Sequence, residues 1–328
     1  MKTRQIKILL PLLLALCLPG LLHARGAPEH DGQPLTIYAI RGPSGVGMIR
    51  LFEEPPEIPG FAVQMQALAG PDLMAARFLS GQAQVGILPA NMAARIRSLG
   101  RDVQAAAIIG TGMLSLLSSD PSVQSLEDLR GRTVEVAGQG GTPEYVFRKI
   151  LIANGIEPDR DVTLGFALAL PEIALSLIAG RVSIALLPEP FATMARAGRP
   201  DLRAVVDIQE EWVRAGGEGN YPMTVLVVDG AFAAANPAAV DAILNAVRDS
   251  IEWVKANPAE AGTLVQRHDL GLSASVAAAA IPHSNYTFIP AVEGRASMES
   301  LFRAFLENTP VSIGGALPDD GFYWTRDD

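Results

Sequence analysis

The chain has 328 residues, 26 Lys+Arg against 35 Asp+Glu, and one cysteine. That length holds two or three domains, and a composition 49% hydrophobic and 19% charged belongs to a globular chain, not a disordered one. A formal charge of −9 argues against nucleic acid as a partner, because phosphate binding needs a basic face, and a lone cysteine excludes an intramolecular disulfide or a multi-cysteine metal site.

The chain opens with Lys2, Arg4 and Lys7, then an apolar run from Ile8 to Leu22, then His23-Ala24-Arg25-Gly26. A basic start, a short apolar core and a small-residue exit read as a secretory signal peptide over residues 1–26. Pro11, Pro19 and Gly20 interrupt the run, which is short for a membrane span. Leu14-Ala15-Leu16-Cys17 is a degraded lipoprotein signal, with Leu16 where a small residue is required. The expectation is a soluble, exported, periplasmic protein rather than one anchored at Cys17. Removing the leader takes away four basic residues and no acid, so the remainder is more acidic still and has no cysteine.

The rest of the chain repeats itself. Leu73–Ala93 and Ile173–Ala192 align at a shift of about 99 positions, which equates Gly81 with Gly180, Leu88 with Leu187 and Pro89 with Pro188. Arg97 then meets Arg196 and Asp102 meets Asp201, and upstream Thr36-Ile37 meets Thr133-Val134. A period this long marks a duplicated half, not a solenoid.

Each half has the same order of elements. Leu35–Ile40 and Thr133–Ala137 read as strands that end in the turns Gly42-Pro43-Ser44-Gly45 and Gly138-Gln139-Gly140-Gly141-Thr142. A helix follows each turn, the second with Thr142 as N-cap and Pro143 at its first position. Phe61–Met65 and Val162–Ala167 are second strands, and Val85–Leu88 and Ile184–Leu187 are third strands ending at Leu-Pro. Strands alternating with helices imply parallel βαβ units. Between the halves run Ala105–Leu117, containing Gly110-Thr111-Gly112, and Ser125–Gly131, a one-turn helix with Ser125 and Asp128 in capping-box positions. Pro222–Val228 is a further β-like run. A stripe of Val240, Ile243, Leu244, Val247, Ile251 and Val254 then marks an amphipathic helix between Asn236-Pro237 and Asn257-Pro258. Val292–Leu306 is helical, and the tail completes the first lobe.

SLEDLRGRTVEV (Ser125–Val136), GQGGTPEYVFRKILIANGI (Gly138–Ile156), DVTL (Asp161–Leu164), LIAGRVSIALLPEPF (Leu177–Phe191) and the terminal LPDDGFYW (Leu317–Trp324) resemble the periplasmic solute-binding proteins of ABC importers. The closer resemblance is to the nitrate/sulfonate/taurine and thiamine-pyrimidine, SsuA-like, group. It implies an α/β, two-lobed periplasmic binding protein type II fold: two βαβ lobes joined by two crossing segments with a ligand cleft between them. The expected division is 33–111 plus 224–328 as lobe 1 and 112–223 as lobe 2. The implied role is capture of a small polar solute (an organic sulfonate, carboxylate or pyrimidine-like compound) for an inner-membrane permease and ATPase, by a non-enzymatic monomer. The alternatives are an enzyme on the same fold, thiamine-pyrimidine synthase-like or chorismate-dehydratase-like, and the ligand-sensing partner of a receptor. The synthases use a cysteine-rich segment that is missing here.

Ligands of open parallel sheets sit beyond the carboxyl ends of strands, here at Arg41–Gly47, Leu88–Met92, Gly138–Pro143 and Leu187–Phe191. Gly45 and Gly141 let the backbone approach a ligand, and Ser44 and Thr142 add hydroxyls at helix starts; simple capping is the other reading of both. Glu189, between Pro188 and Pro190, is either a carboxylate aimed into the cleft or a solvated loop acid. Its equivalent in the first half is Ala90, with Asn91 beside it. Arg41, Thr111 and Tyr221 complete the candidate ligand-binding set. Trp212, Tyr221 and Tyr145 stack on a flat ligand or pack at the crossings. His30, His268 and His283 are scattered, so neither a metal site nor a cofactor is expected, and no Gly-x-Ser-x-Gly elbow is present.

Overall fold

Runs of apolar residues bounded by glycine and proline fold into strands and helices in the order that the sequence spacing predicts. The computed structural model describes residues 32–326, and the leader expected over 1–26 lies outside them. The first half comprises β1 (Gln33–Ile40), α1 (Pro43–Gly47), α2 (Ile49–Glu53), β2 (Phe61–Leu68), α3 (Pro71–Leu79), β3 (Val85–Pro89) and α4 (Ala90–Ser98). β4 (Val103–Thr111) then runs through Gly112-Met113 into β5 (Leu114–Ser118). The second half follows the same plan: β6 (Thr133–Val136), α5 (Thr142–Ala153), β7 (Thr163–Gly165), α6 (Leu170–Ile178), β8 (Ile184–Pro188) and α7 (Phe191–Gly198). β9 (Arg203–Ala204) and α8 (Ile208–Arg214) precede β10 (Pro222–Asp229), α9 (Gly230–Ala235), α10 (Pro237–Ala256), α11 (Pro258–Arg267), α12 (Ala274–Ala280), β11 (Tyr286–Pro290) and α13 (Ala291–Asn308).

Two sheets form, ordered β11-β4-β10-β3-β1-β2 and β7-β6-β8-β5-β9. β1 lies parallel between β2 and β3, and β6 lies parallel between β7 and β8. The sequence echo is also an echo of register. Tyr38 pairs with Gly86 in the first sheet, and their equivalents Glu135 and Ala185 pair in the second. β3 and β8 are almost wholly buried, as strands covered on both faces must be. Each third strand has an antiparallel neighbour, β10 beside β3 and β5 beside β8. These neighbours are exchanged: β4 leaves the first sheet directly into β5 of the second, and β10 brings the chain back. The two crossings therefore lie side by side, and Gly112 N donates to Tyr221 O at 3.0 Å.

Some local expectations are corrected. Thr142 is the first helical residue of α5, not its N-cap; Gly141 takes that place and no side chain caps it. The Thr142 hydroxyl is used across the lobes instead. The strand expected over Val162–Ala167 shortens to Thr163–Gly165. The helix at Ser125–Gly131 is a single 3-10 turn, Glu127–Leu129, where Asp128 Oδ2 accepts from Gln124 N, Ser125 N and Ser125 Oγ at 2.9–3.0 Å. α10 places its whole predicted stripe in the core. β11 joins β4 at the sheet edge, and Asp319 and Asp320 pin the tail through ion pairs to Arg97 and Arg295. Among the described residues, no helix is long and apolar enough to cross a membrane.

Candidate functional site: the cleft between the lobes

The ends of β1, β3, β6 and β8 meet the two crossings between the lobes. A glycine begins the contact. Gly42 has φ +119°, open to glycine and strained for other residues, and a Cβ there would lie 3.1 Å from the Phe191 ring of the second lobe. Arg41, just before it, is exposed. Ser44 ties its own turn, with Oγ accepting from Ile40 N at 3.0 Å and donating to Ile40 O at 3.1 Å. Gly45 packs on that carbonyl, since a Cβ would stand 2.9 Å from Ile40 O.

A buried polar contact between the lobes is made by Asn91 and Thr142. Both are fully buried. Asn91 Nδ2 donates to Gly140 O at 2.8 Å and to Ser312 O at 3.3 Å, and Thr142 Oγ1 donates to Asn91 Oδ1 at 3.0 Å. Gly141 sits against Pro89, where a Cβ would come to 3.7 Å. Alongside, Tyr145 of α5 packs on Phe305 of α13 with ring centroids 5.6 Å apart, and Lys149 Nζ meets Glu307 Oε2 at 2.7 Å. Tyr145 and Trp212 therefore pack at interfaces, Trp212 edge-on to Tyr221 at 5.3 Å.

Glu189 is buried, not a solvated loop acid, at 3% exposure. Its Oε1 accepts from Arg196 Nη2 at 2.9 Å and its Oε2 from Thr193 N at 3.0 Å, while its own N–H donates to Met113 O at 3.0 Å. The carboxylate is thereby fixed at the first turn of α7, where the helix dipole also favours negative charge. It lines a polar cavity of about 270 Å³, open to solvent, with Arg196, Asp207, Gln209, His283, Asn285 and the crossing residues Gly112–Ser115 and Tyr221. Thr111 ends β4 beside it, with its N–H toward Asn285 O. The Asn285 side chain donates to Gly112 O, which holds a first-lobe loop on the crossing. Tyr221 is buried, and desolvation pushes its phenol well above the usual range.

A much smaller void of about 10 Å³, room for about one water, lies on the first-lobe side, lined by Ser44, Gly47, Gly110, Met113, Thr224 and Tyr286 among others. Met113 lines both spaces.

The predicted site residues thus fall into three groups: Ser44 and Gly45 in α1, Asn91 with Gly141 and Thr142 in the interlobe clasp, and Glu189 with Tyr221 at the polar cavity and Thr111 beside it. Arg41 joins none of them. Sequence reasoning missed Arg196, Asp207, Gln209, Tyr286 and Asn285, and gave His283 no place in the cleft. For Arg196 a signal existed, because it is the repeat equivalent of Arg97 and stands two helical turns after Glu189. Arg97 instead bonds Asp102 and Asp319. Tyr286 and Asn285 arrive from the tail and carried no local signal. Among the described residues, no group of His, Cys, Asp and Glu is arranged to hold a metal.

Two sheets of the same topology, exchanged crossings and a polar cavity at the junction define the two-lobed type II binding-protein fold. Residues 59–261 match the family model described as NMT1/THI5 like, and the chain belongs to that family. Solved structures with the same fold include an ABC transporter protein from Parabacteroides distasonis, at TM-score 0.75 and 23% identity over 90% of this chain and 100% of that one. The periplasmic aliphatic sulphonate binding protein SsuA from Escherichia coli matches at TM-score 0.70 and 16% identity, over 90% and 93%. The periplasmic nitrate-binding protein NrtA from Synechocystis matches at 0.59 and 13%, over 75% and 69%. Among curated protein sequences, none matches this chain.

Proposed function

We propose that the protein is an exported, non-enzymatic solute-binding component of an ABC importer, which captures a small polar solute between its lobes and delivers it to a membrane permease. The observation that carries this reading is the 270 Å³ polar cavity walled by both lobes and both crossings, with the buried Glu189 in its lining. Binding there closes one lobe on the other, and the closed form is what a permease recognises. The names of the similar structures, a sulphonate binder and a nitrate binder among them, support the transport role. In this reading lobe 1 is 33–111 with 224–328, lobe 2 is 112–223, and the monomer hinges at Gly112 and Met223. Glu189 and Tyr221 stand at the ligand, while Asn91, Thr142 and Gly141 hold the closed form.

The test is a thermal-shift screen of the purified protein without its leader against a metabolite extract and single compounds. A solute that binds only the folded state at ~100 times its Kd adds ~2.7 kcal/mol, a shift of several degrees. Absence of any shift across the extract would overturn the reading.

A further inference from the structure

The two spaces that share Met113 leave a particular set of polar groups unsatisfied. The Tyr286 hydroxyl, on a side chain only 5% exposed, has no hydrogen-bond partner. The neighbouring Ser284 hydroxyl donates to Ala280 O at 2.8 Å instead. Gln209 Nε2 donates to Gly219 O at 2.6 Å, and its buried Oε1 has no donor. A carboxylate offers about four lone-pair sites, and Glu189 uses two of them, for Arg196 and Thr193. Free acceptor sites therefore stand at Glu189 and Gln209, the Tyr286 hydroxyl can accept as well as donate, and Arg196, which donates to Glu189, keeps further N–H groups toward the cavity.

Charge points the same way. The polar lining holds two carboxylates, Glu189 and Asp207, against one guanidinium, Arg196, with His283 as the further titratable group. Burial raises the Tyr286 phenol, the adjacent Ser284 hydroxyl offsets part of that, and the field of Glu189 raises it further. Glu189 is paired with Arg196, and Asp207 caps α8 by accepting from Gln209 N and Glu210 N; an N–H donor entering here finds the remaining acceptor sites of Glu189 and the buried Gln209 oxygen, which has no donor.

We propose that the cleft selects an organic cation, a solute carrying a protonated amine or amidine, whose N–H groups bridge the Glu189 carboxylate, the Gln209 carbonyl oxygen and the Tyr286 hydroxyl. Met113, with its flexible thioether, divides the outer polar space from the inner void and moves aside for the apolar part of the solute. The proposal rests on the solute-binding reading above and adds the charge class of the ligand.

The experiment is calorimetry and thermal shift on the protein without its leader, using sets of compounds that share a skeleton and differ in charge. Benzylamine and benzamidine are compared with benzoate, benzenesulfonate and benzyl alcohol, and 2-aminoethanol with 2-hydroxyethanesulfonate. The amines and the amidine bind, and their anionic counterparts do not. Glu189→Gln weakens the cations about tenfold or more, and Tyr286→Phe weakens them several-fold with the fold intact by circular dichroism. Tyr286→Phe carries the test if Glu189→Gln does not fold. Binding of the anions in preference to the amines overturns the charge class and leaves the transport reading standing. The charge class is likewise overturned, with transport standing, if no panel compound binds but a metabolite extract raises the melting temperature. Failure of both the panel and the extract overturns the transport reading itself.

Discussion

Asn91 carries more of the closed arrangement than its size suggests. One amide in the first lobe meets Gly140 O and the Thr142 hydroxyl in the second, with Asn91 and Thr142 both fully buried. Asn91→Ala should therefore cost about 1–3 kcal/mol, because the groups left behind stay buried and unpaired; urea unfolding measures it. Gly112 is similarly constrained: a Cβ would strike the Gln209 side chain and stand 3.0 Å from both Asn220 and Tyr221. Gly112→Ala should destabilise by about 1–3 kcal/mol through overpacking at the crossing, again readable as a lower urea midpoint. Asp120 is a surface case. Hydrogen bonds from the Ser122 hydroxyl and N–H, then from Arg132, hold its carboxylate down at about 2, against the ordinary 3.8. A folded value below the unfolded one means that its contribution is present above about pH 4 and is lost as pH falls toward the folded value. Asp120→Asn should flatten that part of the acid limb in melting curves taken from neutral pH downward, and an unchanged limb would exclude the assignment.

The elements owe their stability to periodicity that the tertiary structure then uses. α10 is the clearest: Val240, Ile243, Leu244, Val247, Ile251 and Val254 recur at helical spacing, and all are buried. Ile243→Ala should cost about 2–5 kcal/mol by leaving a cavity under a fixed helix, and chemical denaturation of the variant checks it. α5 shows where local rules stop. Thr142 satisfied every sequence requirement for an N-cap, yet its hydroxyl turns to Asn91, because a buried hydroxyl takes the partner the opposite lobe presents. Glu144 then accepts from Gly140 N at 2.7 Å, restoring a bond to the turn. The duplicated arginines diverge for the same reason. Arg97 faces the acidic tail, and Arg196 faces Glu189, where the first half has Ala90.

At the scale of the whole molecule, two sheets share a topology and exchange their crossing strands, so a change at a crossing such as Gly112 is a change in how the two sheets connect. The lobes are held together by the Asn91–Thr142 clasp, the Tyr145–Phe305 packing and the Lys149–Glu307 ion pair. Loosening the clasp should move the population toward an open form without unfolding either lobe. Thr142→Val should enlarge the radius of gyration in small-angle scattering, and a saturating solute should reduce it again. An unchanged radius in both conditions would mean that the clasp does not govern closure.

Much of the fold was legible because its signals are short-range. Alternating strands and helices, Gly- and Pro-bounded turns, the duplicated half and the α10 stripe all depend on residues a few positions apart, where backbone sterics and side-chain periodicity act directly. Glu189 was legible as a rigidly placed carboxylate, since two prolines and a buried strand restrict its backbone. What it bonds was not. Arg196 is a turn and more away on a helix whose start had to be known, and Tyr286 reaches the same region from a strand added at the far edge of the other sheet. The sequence by itself determined two similar α/β halves, their order of strands and helices, and an acidic, cysteine-poor body. Only the tertiary structure decided that Thr142 binds Asn91, that Glu189 is buried, and that Gln209 in the polar cavity and Tyr286 in the adjoining void have unpartnered side-chain oxygens. Those pairings arise from desolvation at a surface between lobes, and no local pattern encodes which two surfaces will exclude water from each other.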